Sequence, residues 1–464
     1  MVIFCFLNNI LYWTDYDENG NYKYLAQDDL KQEEENLRKN IKKYDKEKEN
    51  EVSMYVTLKT KLDLIEVKKT FIPTSWQYQK ADSYLYDIIY RKNVFQYLEK
   101  NSEKLSRTQE EYQDILSKMQ SDNWEYFLKL EKKEVEKEQE ELEKELQKTI
   151  DKQEKIELDD KAQEKEFQRK ILQYRLEHHI KEDYSYLNRA LENYQKNYKI
   201  VSQYQEVVRN YEQELTYQNA LAEMNISKYI LEHEVNINKE NNLNYQLRTI
   251  VEDYEIFIVL LILMISGTIL TDEFRDGTIK LLLIKPYSRG KILLSKYFAS
   301  LILLVGSILA LILLQLFVGG IIFGLDSLKI PVVIYHFEKS QIITYSIFQY
   351  MGIRILSKIP FLLMMVTISI FLSVLSSSSM ISIMIPLMLY MFTPILTNLM
   401  IQYQLRFMKF LVNINWDLQN YLFGRKKEVE FITFNFSIAI MMVYFIGLWF
   451  ITFRSFYKKN IKNV

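Results

Sequence analysis

The residues best placed to do chemistry lie between Thr271 and Lys296, where the chain reads TDEFRDGTIKLLLIKPYSRGKILLSK. Glu273, Asp276, Arg275, Lys280, Lys285 and Arg289 crowd into a short loop between two apolar runs, Tyr254 to Leu270 and Tyr297 to Gly324. Each run is about long enough to cross a bilayer. A loop this dense in charge has no purpose facing lipid. Its chemistry is that of a docking element held in water beside the membrane.

Other reactive residues offer less. His178 and His179 are adjacent, so on one helix they point in different directions and cannot chelate one ion together. Solvated histidines are the plainer reading. The single Cys5 excludes an internal disulfide and argues against thiol chemistry. No GxxxxGK[ST] phosphate loop, HExxH, CxxC or GxSxG occurs in the chain, which excludes P-loop ATP binding and the common hydrolase sites.

The elements that position the charged loop become visible once the chain is cut in two. Net charge is −1, but this averages a polar first half with an apolar second half. Of 11 glycines and 6 prolines, only Gly20 and Pro73 precede Tyr254. A long stretch without breakers, rich in Glu, Lys, Leu, Gln and Tyr, predicts long helices. The expected boundary falls near Asp253.

In the second half no charged residue occurs between Lys296 and Asp326, between Lys358 and Arg406, or between Glu430 and Arg454. The first and third gaps each hold one span. The second holds two, divided at Ser376-Ser377-Ser378-Ser379. With Glu255 to Asp272 this predicts five spans, at residues 254–271, 297–323, 359–376, 380–402 and 431–453. The apolar cores of these spans lack the ionisable groups that proton- and ion-driven transporters use at mid-membrane. Met1 to Trp13 is apolar but short, and reads as the outer half of a first span whose beginning is missing. The alternative is a buried or interfacial N-terminal segment. Segment 14–253 would then lie outside the cytoplasm, residues 254–456 would form the membrane domain, and 457–464 a basic cytoplasmic tail. Positive charge, with Arg354 and Lys358 counted among the outer-loop cations, is too evenly split between the two sets of loops to orient the chain by itself.

Within the polar half, Leu187, Leu191, Tyr194, Tyr198, Val201, Val208 and Leu215 alternate in steps of four and three, predicting a coiled-coil seam. Leu128, Val135, Leu142, Thr149 and Ile156 repeat every seven residues through a Glu/Lys run, predicting a solvated arm with a thin apolar edge. Pro73 ends one helix. The tyrosines fill a helix-helix seam in the plainer reading and hold peptides or sugars in the sharper one. The fold class is thus all-α: a polytopic membrane domain bearing a long helical, coiled-coil segment.

The order of a large segment, a span ending SGTILTDEFRDGTIKLLLIKPYSRGKILLSKY and four more spans resembles the membrane subunits of ABC-2 type transporters. The family motif maps to Glu273, Phe274, Gly277, Thr278, Lys280, Lys285, Pro286, Ser288 and Arg289. NINWDLQNYLFG (Asn413 to Gly424) and PFLLMMVTISIFLSVLSSSSMISIMI add weaker similarity. The likeness covers about Leu247 to Ser455. The missing first span and the long charged segment depart from the pattern and approach the related phage-infection-type proteins.

The resemblance implies a permease of an ATP-driven exporter in a bacterial plasma membrane. Its 272–296 loop would face the cytoplasm and lodge on a separate ATP-binding subunit. ATP and magnesium would sit on that partner, with no cofactor, catalytic residue, metal or nucleic acid on this chain. Two permease copies, identical or related, would enclose the path. Gly277 would permit a tight turn and Thr278 would cap the following helix. Ile279 and Leu281 to Ile284 would lie in the interface while Lys280, Lys285 and Arg289 face lipid phosphate or the partner, and Glu273 and Arg275 anchor the loop. Gly320 and Gly324 form a GxxxG suited to helix packing. Pro386 and Pro394 would bend the fifth span and shape a lateral cavity. The cargo expected of an apolar path is a hydrophobic peptide, antimicrobial or lipid-like molecule. The rival expectation is a coiled-coil surface protein acting as receptor, adhesin or secretion scaffold.

Overall fold

Scarcity of helix breakers governs the first half of the chain, and the computed structural model shows a succession of separate helices there. It describes residues 25–183, 185–205, 207–237, 242–284, 287–376, 378–403, 405–424 and 432–459. The expected first span, Met1 to Trp13, lies outside these residues, as do Lys285, Pro286 and the tail beyond Lys459. Contacts divide the chain into two units, Met1–Glu192 and Asn193–Val464. The division precedes the change in composition at Asp253, because the second unit contains helices from the polar half.

The first unit contains α1 (Leu25–Ile41), α2 (Val52–Lys68), α3 (Trp76–Asn93), α4 (Ser102–Gln120), α5 (Trp124–Lys148) and α6 (Lys152–Glu177). A π-helical turn, Val94–Leu98, extends α3. Pro73 falls in the break between α2 and α3, where expected. Side-chain oxygens set several starts: Ser75 accepts from the Tyr78 amide, Asn101 from Lys104, and Asp151 from Gln153 and Glu154. Leu64, Trp76, Ala81, Leu85, Ile89, Met119 and Phe127 form the main core.

Both predicted heptad runs are cut short. α5 and α6 pair as an antiparallel hairpin around Leu128, Val135 and Leu172. Thr149 is already the C-cap of α5 and Ile156 is exposed, so the arm folds back where the repeat predicted continuation. α7 (Tyr186–Tyr204) stops before Val208, which is 97% exposed, and α8 (Tyr211–His233) starts afresh from a capping box of Asn210 and Gln213. The predicted seam is therefore two helices. Arg209 closes the break, donating to the Tyr204 carbonyl and pairing with Glu214.

The second unit continues with α9 (Leu243–Asp253), α10 (Glu255–Arg275), α11 (Ile279–Ile284), α12 (Arg289–Phe323), α13 (Ile347–Ser376), α14 (Ser379–Gln402), α15 (Val412–Asn415), α16 (Gln419–Leu422) and α17 (Phe434–Lys458). Five of these, α10, α12, α13, α14 and α17, are long and apolar enough to cross a membrane. Their number matches the sequence reading, as do the ends at Phe323, Ser376 and Gln402, but several other ends do not. α10 runs through the charged residues to Arg275, α12 starts at Arg289, and α13 starts at Ile347 rather than near 359. α10 and α13 are the best-buried spans, and both contribute heavily to a core with Phe274, Ile279 and Phe456. α12, α14 and α17 keep most of their apolar surface exposed.

The one departure from an all-helical pattern among the described residues is an antiparallel hairpin of β1 (Val332–His336) and β2 (Gln341–Tyr345). Val332 to Tyr335 is a run of β-branched and aromatic side chains. All four are buried, and α8 packs against this strand.

Candidate functional site

The last turn of α10 carries Glu273, Phe274 and Arg275, so these three are helical rather than in a loop. Gly277 follows with φ +71°, a left-handed conformation that reverses the chain into α11. A Cβ there would meet nothing within 4 Å, so the requirement for glycine is one of backbone rather than space. Thr278 precedes α11. Its hydroxyl donates back to the Glu273 carbonyl, 3.5 Å away.

The motif residues turn mostly inward. Phe274 is 1% exposed and meets Phe456 of α17 edge-on, with ring centroids 6.3 Å apart. Ile279 is fully buried beside them. Glu273 pairs with Lys296 of α12. Lys459 lies 4.0 Å above the Phe274 ring and donates to the Val374 carbonyl of α13 at 2.6 Å. Burial lowers the Lys459 ammonium from its ordinary value.

Arg289 departs furthest from expectation. Its Nη1 donates to the carbonyls of Tyr457 at 2.8 Å and of Phe456 and Lys459 at 3.2 Å. These belong to the end of α17, where the last carbonyls of a helix lack partners and the dipole favours a cation. Arg289 is therefore the cap of the last span, not a group facing lipid phosphate. The Gly290 amide donates to the Tyr457 hydroxyl at 3.2 Å, and Ser288 starts α12 by accepting from Lys291. Ends of α10, α12, α13 and α17 are thus bound together.

What remains outward is a strip. Arg275 is 65% exposed, with its guanidinium shared between Asp272 and Asp276. Lys280, Leu281 and Tyr287 are exposed as well. Lys285 lies outside the described residues. The described residues of the strip combine charge with apolar surface. The strip can bind another surface.

The membrane unit's other candidate residues divide similarly. α14 contains both Pro386 and Pro394. Gly324 ends α12 with φ +74°, and a Cβ on Gly320 would touch only Leu325 of the same connection, 3.1 Å away. Beside Gly320 the close helix approach is instead at Gly319, where a Cβ would fall 2.7 Å from Leu243 of α9.

Charged residues at the opposite end escaped the sequence reading. Arg354, 3% exposed, donates to the Arg248 carbonyl at 2.7 Å and to the Tyr350 hydroxyl at 2.6 Å. Lys358 holds both carboxylate oxygens of Glu255, at 3.1 and 3.0 Å. Counted as loop cations from sequence, they are helical residues turned into protein. The signal was available: Tyr350, Arg354 and Lys358 recur every fourth residue, which is one face of a helix.

The second unit is also where a family match lies. A family described as "Protein of unknown function (DUF2705)" matches residues 208–462, more than half of the chain, and the chain belongs to that family. An uncharacterized protein of Bacillus subtilis (strain 168), YhcI, is 28% identical over 243 residues, which is 51% of this chain and 75% of that one. No solved structure matches the chain.

Proposed function

We propose that this family member is the membrane-spanning subunit of an ATP-driven exporter of the ABC-2 type, docking through the strip around Gly277 onto a separate ATP-binding subunit. One observation carries the reading. The motif binds together the ends of α10, α12, α13 and α17 while leaving Arg275, Lys280, Leu281 and Tyr287 outside. A push on the strip would therefore move several spans together, as coupling requires.

In this reading the strip faces the cytoplasm of a bacterial cell and segment 14–253 lies outside. Burial of Arg354 and Lys358 supports that orientation, since cations satisfied inside protein no longer count among outer-loop charges. ATP and magnesium belong to the partner, and two permease subunits, identical or related, enclose the path.

The test is purification of the tagged chain from its native membrane in mild detergent, with mass spectrometry of what accompanies it. A stoichiometric P-loop ATPase is expected. Lys280→Glu with Leu281→Asp should release it while leaving thermal stability unchanged, because both side chains are exposed. A preparation free of any ATPase would overturn the proposal and favour a surface receptor or scaffold.

A further inference from the structure

The second unit holds a polar cleft that the coupling reading does not use. α14 begins beside the strip, where Ser379 and Thr271 share a hydrogen bond of 2.7 Å, so its last turns lie at the opposite end of the spans. There α14 and the short helices α15 and α16 enclose a cleft of about 310 Å³. Its walls carry the hydroxyls of Thr393 and Thr397, the carboxamides of Asn398, Asn413 and Asn420, and the carboxylate of Asp417. Among the described residues, no Lys or Arg lines it. Such a surface is unexpected beside spans whose exteriors are apolar, since polar groups near lipid are costly unless used.

The threonine hydroxyl protons in this cleft are already committed. Thr393 donates to the Leu389 carbonyl at 2.8 Å, and Thr397 donates to the Thr393 carbonyl at 3.0 Å. Each hydroxyl is left with lone pairs and no proton to offer. Asn413, 3% exposed, points its amide at the Thr393 oxygen from 3.3 Å. Asp417 uses Oδ1 to accept the Gln419 amide at 3.0 Å, which starts α16, and its exposed side chain retains acceptor capacity. Among the described residues, the cleft thus offers hydroxyl and carboxamide oxygens as acceptors, carboxamide N–H groups as donors, and a single carboxylate as its charge. Its complement is a cation with several N–H donors.

We propose that this cleft binds a primary ammonium group carried on a polar head group, with Asp417 as counter-ion and Thr397 among the acceptors. A quaternary ammonium, which has the charge but no N–H, should bind poorly. The ammonium has two available sources: an aminophospholipid entering beside the exposed face of α14, or an amine dissolved in water. The proposal requires no ATPase and stands or falls separately from coupling.

The experiment uses the full chain in nanodiscs of phosphatidylglycerol, titrated calorimetrically with glycerophosphoethanolamine and then with glycerophosphocholine. Saturable binding of the first, at least about tenfold tighter than the second, is expected. Asp417→Asn keeps an acceptor for the Gln419 amide and should weaken binding by about tenfold with no change in melting temperature. Thr397→Val, away from α16, should weaken it severalfold. In a second arm, the chain is reconstituted with mixed ethanolamine and choline phospholipids and examined by native mass spectrometry. Ethanolamine lipid retained on the wild type and lost from Asp417→Asn assigns the lipid source. Binding in the soluble arm alone assigns a dissolved amine. Equal affinity for the ethanolamine and choline compounds, an unchanged Asp417→Asn, or no binding in either arm would overturn the proposal.

Discussion

The hydroxyl of Ser369 on α13 donates to the carbonyl of Ser382 on α14 across 3.0 Å. Ser382 stands at the i−4 position from Pro386, which has no N–H to give it, so the hydroxyl supplies the bond that proline removed. Gly267 of α10 makes room for the pair, since a Cβ there would fall 2.7 Å from Ile383 and 3.2 Å from the Ser369 oxygen. Ser369→Ala should destabilise the protein by about 0.6–1.7 kcal/mol, the range for such bonds between membrane helices. In a Pro386→Ala background, where the helix regains its own donor, the same substitution should cost less. A double-mutant cycle on detergent unfolding measures the difference, and equal costs in both backgrounds would refute the compensation.

Arg289 should hold the end of α17 rather than a partner. Arg289→Met strips the donor from three carbonyls at once, and the last turn of α17 should fray. Hydrogen exchange of a peptide covering Phe456 should then speed up, while one from the middle of α13 stays protected. Loss of stability of about 1–3 kcal/mol should accompany it, the scale of hydrogen bonds to charged groups. Unaltered exchange at Phe456 would return Arg289 to the outward role its motif implies.

Glycines 277 and 290 should fail for different reasons. At Gly277 the left-handed backbone alone resists a side chain, so Gly277→Ala should cost about 1–2 kcal/mol and Gly277→Asn less. Gly290 has no such backbone demand, but its Cβ would sit 2.9 Å from the Tyr457 hydroxyl. Gly290→Ala should therefore be partly rescued by Tyr457→Phe, whereas Gly277→Ala should not. Melting temperatures of the single and paired variants check both statements.

These cases also mark what could be read before the structure. The five spans were legible because long charge-free runs have few other uses, and the break at Pro73 was legible because the chemistry is local. Span ends were less so. Arg354 and Lys358 looked like loop residues because the partners that make their burial tolerable, Arg248, Tyr350 and Glu255, are mostly distant in sequence. The motif containing Arg289 was visible, but its acceptors at Phe456 to Lys459 lie at the other end of the membrane domain. A heptad pattern says which face is apolar but not where the helix stops, so the seam through Val208 was drawn too long. The amide-rich cleft was half legible: NINWDLQNYLFG stood out, but nothing local showed that it would fold against Thr393 and Thr397.

The first unit should weaken in acid through one carboxylate. Asp122 sits in the turn between α4 and α5 with φ +58°, accepting the Trp76 indole N–H at 2.6 Å and the Lys181 ammonium at 2.5 Å. Burial pushes its carboxyl up, but the hydrogen bonds from Lys181 and Trp76 outweigh this and hold it below the usual carboxylate range. A carboxyl depressed in the folded state contributes its stability in full above the unfolded value of about 3.9. That contribution is lost as pH falls from there through the lower, folded value. Asp122→Asn keeps an acceptor for the indole but cannot titrate, so it should be less stable than wild type at neutral pH and flatter in its acid dependence. Circular dichroism melts from neutral pH down to about pH 3 should show the two curves converging. Parallel curves would mean that the Lys181 and Trp76 contacts contribute nothing that depends on the charge of Asp122.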